Sequence, residues 1–210
     1  MKPIAGGAFG VATMACVFVG GAVGMEFAVD ELLPGLDVVF AHGTIEEGDA
    51  EKLTVALGAV GRDDTGNKIL ALHSNGGSVL EALRMADVIN AVGGSTVVPP
   101  GAICASACAL IVYVAGEYKV VVEGGLLGMH TCYSGDGIRH EVCNTIIAER
   151  ALGEGVAYGS VMAFMEAAGP SDMIYFSAED ARCYGLIRYP GEEVPSAQDA
   201  PCVVSGIRQR

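Results

Sequence analysis

The chain contains no Trp, and aromatic residues fill only 6% of its 210 positions. Its core must therefore be built from Val, Leu, Ile, Ala and Met, without large aromatic anchors. Positive charge is also scarce: 12 Lys and Arg stand against 25 Asp and Glu, a net charge of −13. A surface that acidic repels nucleic acid and anionic lipid, and no Lys/Arg cluster offsets it, so no nucleic-acid partner is expected. There is no Cys-x-x-Cys pair and there are only 4 His. The ligand spacing of a structural zinc site is missing, and neither a metal nor another cofactor is expected. No internal repeat or low-complexity tract appears, which sets aside solenoid and disordered chains.

What is present suits one domain. Hydrophobic residues make up 51% of the chain, enough for a sizeable core, and 30 glycines imply many tight turns. The N-terminus has one Lys ahead of an apolar run from Pro3 to about Gly24, and Glu26 is the first acid. This pattern predicts a signal peptide over residues 1–24, cleaved near Ala22-Val23-Gly24. The alternative is a membrane anchor over residues 3–24, which would tie the protein to a membrane through its N-terminus. Cys16 is a poor lipid-attachment site because Met14 does not fit the pattern. The expected organisation is then a domain over 25–190 and a loose tail over 191–210. Export, to a periplasmic location, suits the remaining cysteines. Removing the leader leaves Cys104, Cys108, Cys132, Cys143, Cys183 and Cys202, an even set that suggests disulfides. Cys132 and Cys143 flank a polar turn and form the natural local pair; Cys183 with Cys202 is a second possibility.

Strand and helix patterns alternate. Strands are expected at 36–45, 67–74, 95–100, 117–125 and 126–130, and helices at 46–60, 79–93 and 105–116. A long helical stretch carrying glycines is expected over 144–169, and a short helix over 176–187 capped by Ser177 with Asp180 three residues on. This order predicts an α/β domain with crossover connections, whose sites form where strands run out into loops. Three such ends carry chemistry: Ser74-Asn-Gly-Gly77, the turn into Ser106, and Met129-His130.

Ser106 lies in GAICASACAL (101–110), a lone hydroxyl among small apolar residues. It is either a packing residue or a nucleophile. A serine needs a base, and His is the usual one because it titrates near neutrality. The intermediate also needs backbone N–H donors for its oxyanion; a Gly-Gly turn can supply one and the start of a helix another. His130 ends an apolar strand and is either a core residue or that base. His73 ends a strand on the wrong side of its turn, His140 sits in a polar turn, and His42 shows no partner. Cys104 or Cys108 could instead be the nucleophile, but neither has a basic neighbour to lower its pKa.

The segments GTIEEGDAEKL (43–53), ILALHSNGGSVLEALRMADVINAV (69–92), GAICASACALIVYVAG (101–116), LLGMH (126–130) and FSAEDARCYGLI (176–187) together resemble the proteolytic subunit of the Clp protease and its relatives in the Clp/crotonase superfamily. The resemblance covers about residues 36–188. It implies a ββα spiral of parallel strands and crossover helices. It also implies Ser106 as nucleophile, His130 as general base, and Gly77 and Ala107 as oxyanion donors. Departures from the family pattern are visible. Asn75 replaces a Pro, and Gly101 is shifted by one residue. The triad acid falls at Met173 in an ungapped alignment, with Asp172 beside it. The site is therefore either a Ser-His-Asp triad through Asp172 or a Ser-His dyad. A subgroup of exported relatives shares the C-A-S-A-C core, in which Cys104 and Cys108 could lock the nucleophile loop through disulfides to other segments. The resemblance further implies a homo-oligomer acting on peptide or protein substrates. Two rivals remain: a catalytically inactive interaction module of the same fold, and a crotonase-type acyl-CoA enzyme, for which no basic patch is visible.

Overall fold

The computed structural model describes residues 24–33 and 35–192. The expected leader as far as residue 23, Cys16, Cys202 and the tail from residue 193 lie outside the described residues. Five strands form the first sheet: β1 (Glu26–Leu33), β2 (Leu36–His42), β3 (Lys68–His73), β4 (Gly94–Val98) and β6 (Lys119–Val121), in the order β1-β2-β3-β4-β6. All its pairings are parallel except the β1–β2 hairpin. A second sheet holds β5 (Ile103–Ala105), β7 (Leu126–Met129) and β8 (Ile174–Phe176), with β5–β7 parallel and β7–β8 antiparallel. The strand β1 was not expected from sequence. Its EFAVDELL run mixes acids with apolar residues and has no clear strand period, and it is held by its pairing with β2.

The chain climbs by repeating one unit: a strand in the first sheet, an extended segment in the second, then a helix. β4, β5 and a π-helical segment (Cys108–Tyr113) make one such turn; β6, β7 and α3 (Glu141–Gly153) make the next. The earlier turns use α1 (Asp49–Ala59) and α2 (Val79–Val92), and their extended segments shrink to the single parallel bridges Ile45–Gly77 and Ser74–Cys104. The Ser74 bridge sews the two sheets together: Ser74 N–H donates to Ile103 O (2.7 Å) and Ala105 N–H donates to Ser74 O (2.8 Å).

The helices sit where their apolar spacing demands. In α2 the buried residues Ala82, Met85, Ala86 and Ile89 form one stripe at helical spacing. The helix starts at Ser78, whose hydroxyl accepts from Glu81 N–H (3.3 Å), and stops at Gly93 in the left-handed region (φ +66°). The segment expected as one helix over 105–116 is instead the end of β5, a turn, and the π-helical segment, every residue of which is buried. An all-apolar run of this kind suits a central helix with no solvent face. Likewise the helical stretch expected over 144–169 breaks into α3 and α4 (Tyr158–Ala167). Gly155 adopts φ +81° between them, a conformation that ends a helix. Beyond α4, β8 leads into α5 (Ala178–Cys183), where Ser177 and Asp180 form the expected capping box. The few aromatics gather here: Phe164, Phe176 and Tyr184 meet with ring centroids 4.8–5.4 Å apart, joining α4, β8 and α5.

Two buried carboxylates tie the first helices down. Asp49, fully buried, accepts from Met25 N–H (2.9 Å), Glu46 N–H (2.8 Å) and the Lys52 ammonium (2.8 Å). Glu81 on α2 accepts from Ala50 N–H (2.8 Å) at the start of α1. Replacing Asp49 by Ala leaves two backbone donors without a partner. Urea unfolding of Asp49→Ala should show a loss of about 2–4 kcal/mol; an unchanged midpoint would contradict this account.

Candidate active site

The parallel register of β5 on β7 sets Ala105 opposite Gly128. Ser106 is the next residue on one strand, and His130 lies two residues on along the other. Ser106 N–H still donates to Gly128 O (2.8 Å), and Ser106 O already accepts from Leu110 N–H (2.9 Å) at the head of the π-helical segment. Between these bonds Ser106 takes φ +56°, the only left-handed non-glycine among the described residues. That conformation is unfavourable for a side chain and marks a sharp strand-to-helix turn. It swings the hydroxyl out of the strand, and Oγ lies 2.7 Å from His130 Nε2. The structure thus brings together the two residues that the sequence singled out from opposite sides of a β-hairpin-length gap.

His130 is only 7% exposed, and burial pulls its pKa below the ordinary imidazole value of 6.5. A depressed pKa keeps this imidazole neutral at pH 7. Its other nitrogen, Nδ1, is buried without a hydrogen-bond partner. Asp172 does not supply one. It is exposed, its N–H donates to Gly169 O (3.1 Å), and its carboxylate makes no hydrogen bond to His130. Met173 turns its sulfur toward Gly128 instead. Both residues line the cleft without joining the dyad.

The segment that carries the imidazole is held by a residue that sequence reasoning missed. Asn144, fully buried on α3, accepts from Cys132 N–H (2.8 Å) and donates to Thr131 Oγ1 (2.9 Å). An Asn within the apolar period of α3 was the available signal, since a buried amide needs partners. Tyr133 adds a ring 5.4 Å from the imidazole. A disulfide joins Cys132 to Cys143 on α3, as the local pairing predicted. The second bridge differs from expectation. Cys104 and Cys108 pair with each other, not with other segments, because the turn at Ser106 brings their Cα atoms to 5.3 Å. Both sulfurs being bridged, neither is a nucleophile. Cys183 is also disulfide-bonded, and its expected partner Cys202 lies outside the described residues.

A cleft of about 500 Å³ opens over the hydroxyl, lined by Ser106, His130, Gly77, Ala107, Leu110 and Ile147 among others. Gly77 has φ +145°, and its N–H makes no hydrogen bond among the described residues. The Ala107 N–H stands at the start of the π-helical segment, where N–H groups lack an intrahelical acceptor. Asn75, in the position of the family's Pro, is exposed on the rim. The remaining imidazoles stay outside the cleft. His42 and His73 stack on each other with centroids 5.3 Å apart, and His140 accepts from Cys143 N–H (3.2 Å) as the cap of α3.

No family model and no curated protein matches the chain. Solved structures do match it. ClpP1 from Listeria monocytogenes, in a mutant form, is 16% identical with a TM-score of 0.53, over 70% of this chain and 86% of that one. The ClpP protease catalytic domain from Plasmodium falciparum is 16% identical with a TM-score of 0.54, over 70% of this chain and 80% of that one. At this identity the likeness is one of fold. The chain has a Clp protease-like α/β fold with parallel strands and crossover helices, as the motif resemblance implied.

The turn around Ser106 leaves no room for a larger neighbour. At Gly76 (φ +92°) a Cβ would lie 2.7 Å from Ala105 O, 2.8 Å from Ser106 Cβ and 3.0 Å from Ala107 N. These are backbone and near-backbone atoms that cannot step aside. Gly76→Ala should therefore lose about 1–3 kcal/mol in thermal or urea unfolding, and wild-type stability in that variant would show that the turn is loose.

Proposed function

We propose that this protein is an exported serine hydrolase with a Clp protease-like fold, a peptidase that works through a Ser106–His130 dyad. The observation that carries the reading is the 2.7 Å contact between Ser106 Oγ and a buried His130 Nε2, made at a left-handed turn on the floor of a cleft. The similar solved structures support it by fold, one of them being described as a protease catalytic domain.

The chemistry follows from the groups present. His130 takes the Ser106 proton at Nε2 as Oγ bonds to the substrate carbonyl carbon. The carbonyl oxygen becomes an oxyanion and receives the N–H groups of Gly77 and Ala107. His130 then gives its proton to the leaving amine, the C–N bond breaks, and an acyl-enzyme remains. A water, losing its proton to His130, attacks that ester; the ester C–O bond breaks and the proton returns to Ser106. No residue among those described accepts from Nδ1, so orientation of the imidazole rests on packing and on the segment anchored by Asn144, with Asp172 in no direct role. Apolar Val79, Leu110 and Ile147 on the cleft wall suit an apolar substrate side chain. The disulfides suit an oxidising compartment such as the periplasm. No helix among the described residues is long and apolar enough to cross a membrane, and an anchor over residues 3–24 is the alternative to a cleaved leader. The motif resemblance implies a homo-oligomer, and we include that assembly in the proposal.

Labelling with a fluorophosphonate probe tests the reading. Folded wild type should label, while Ser106→Ala should not label at all and His130→Ala should label about 10⁴-fold more slowly or worse. Asp172→Asn should stay within about tenfold of wild type, since the carboxylate does not orient the base. No labelling of folded wild type would favour the inactive module, a reading that the unpartnered Nδ1 keeps open.

The rate should also report the imidazole. Labelling requires neutral His130, and burial lowers its pKa, so the rate should hold steady as pH falls through 7. It should then drop with a midpoint below the ordinary 6.5. A midpoint above 6.5 would mean that the base is either another group or an imidazole paired with a carboxylate.

A further inference from the structure

The Cys104–Cys108 bridge spans four positions centred on Ser106. One sulfur belongs to the middle of β5 and the other to the first residue of the π-helical segment, so the bridge closes the strand-to-helix turn on itself. A loop this short gains less from the chain-entropy effect than a long-range disulfide does. Its sulfurs are both fully buried, in contrast to the half-buried Cys132 and Cys143 at the rim, so thiols in solution do not reach it. Neither long-range stabilisation nor a redox switch accounts for it.

The residue it encircles does. A non-glycine in the left-handed region persists only where its surroundings over-determine it. On the strand side Ser106 is held by one bond to Gly128, and on the helix side by one bond from Leu110. The imidazole it faces has no acceptor at Nδ1 to steady it. We propose that the Cys104–Cys108 disulfide is a positioning device for the nucleophile, locking Ser106 in its left-handed conformation so that Oγ stays on His130 Nε2. The cystine fixes the hydroxyl from its own segment, where a triad carboxylate would fix the imidazole from the other side. The proposal rests on the hydrolase reading above.

The test compares wild type, Cys104→Ala/Cys108→Ala, and Leu57→Ala, a core substitution on α1 away from the cleft. Each is labelled with the fluorophosphonate probe well below its melting temperature, and the saturating rate is separated from the half-saturating probe concentration. The cysteine variant should lose roughly ten- to hundredfold in saturating rate, with the half-saturating concentration within about twofold of wild type. Leu57→Ala should melt earlier yet keep the wild-type rate. Equal saturating rates in wild type and the cysteine variant overturn the positioning role and leave the hydrolase reading intact. So does a loss of rate in Leu57→Ala matching that of the cysteine variant. No labelling of wild type overturns both. Should the double Ala variant fail to fold, Cys104→Val/Cys108→Ala, which returns core volume without the bridge, carries the same expectation.

Discussion

Everything at the cleft depends on how β5 pairs with β7. Their parallel register sets Ala105 against Gly128, so the two strands leave the sheet side by side and their next residues, Ser106 and His130, emerge within hydrogen-bonding reach. A slip of one residue would turn one of the two side chains to the opposite face and part the pair. The register is guarded from both sides. Ser74 pairs with Cys104 across the seam between the sheets, and β8 pairs with β7 at its outer edge. Glycine at 128 is part of the same constraint. A Cβ there would press against Ala105 Cβ and Met173 Sδ at 2.8 and 3.0 Å.

The cleft is chemically spare. Among its described lining residues, Asp172 is the only carboxylate, and it faces solvent instead of the dyad. The floor holds the Ser106 hydroxyl, the His130 imidazole and two backbone N–H groups, and the walls mix apolar Val79, Leu110 and Ile147 with polar Thr44, Asn75 and Ser171. At the buried imidazole a well-aligned hydrogen bond counts for more than it does in water. The same burial lowers the pKa of His130 and leaves its Nδ1 unsatisfied. Both features have one cause, the burial of an imidazole with a partner on one side only.

Much of this was legible in the residues. α2 runs between its expected limits because its apolar stripe is clean and both caps are explicit, Ser78 at one end and Gly93 at the other. His130 stood out because it ends an apolar strand, and Ser106 because it is a lone hydroxyl among small apolar residues. What failed to read through had local causes. The run ASACALIVYVAG is apolar throughout, so periodicity could not separate the strand end from the helix, and the turn at Ser106 has no glycine to announce it. The break between α3 and α4 was masked by apolar residues continuing past Gly155. The partner of Cys104 was misjudged because a four-residue spacing resembles a helical turn, whereas the true geometry is a bent turn that only the backbone reveals. Asn144 was overlooked because its partners, Cys132 and Thr131, are loop residues with no pattern of their own.

The disulfide from Cys132 to Cys143 makes one wall of the cleft a covalent ring that includes the first turn of α3. Cleft walls in hydrolases are commonly drawn from mobile loops that close over a bound molecule, and ordering them on binding costs conformational entropy. Here part of that entropy is already lost when the chain oxidises, before any ligand arrives. Recognition by such a wall is by exclusion: a segment that does not fit finds no compensating movement, and one that does fit binds without an ordering penalty on this side. The shape of this wall then depends on Tyr133, which follows the bridged Cys132 directly in the chain.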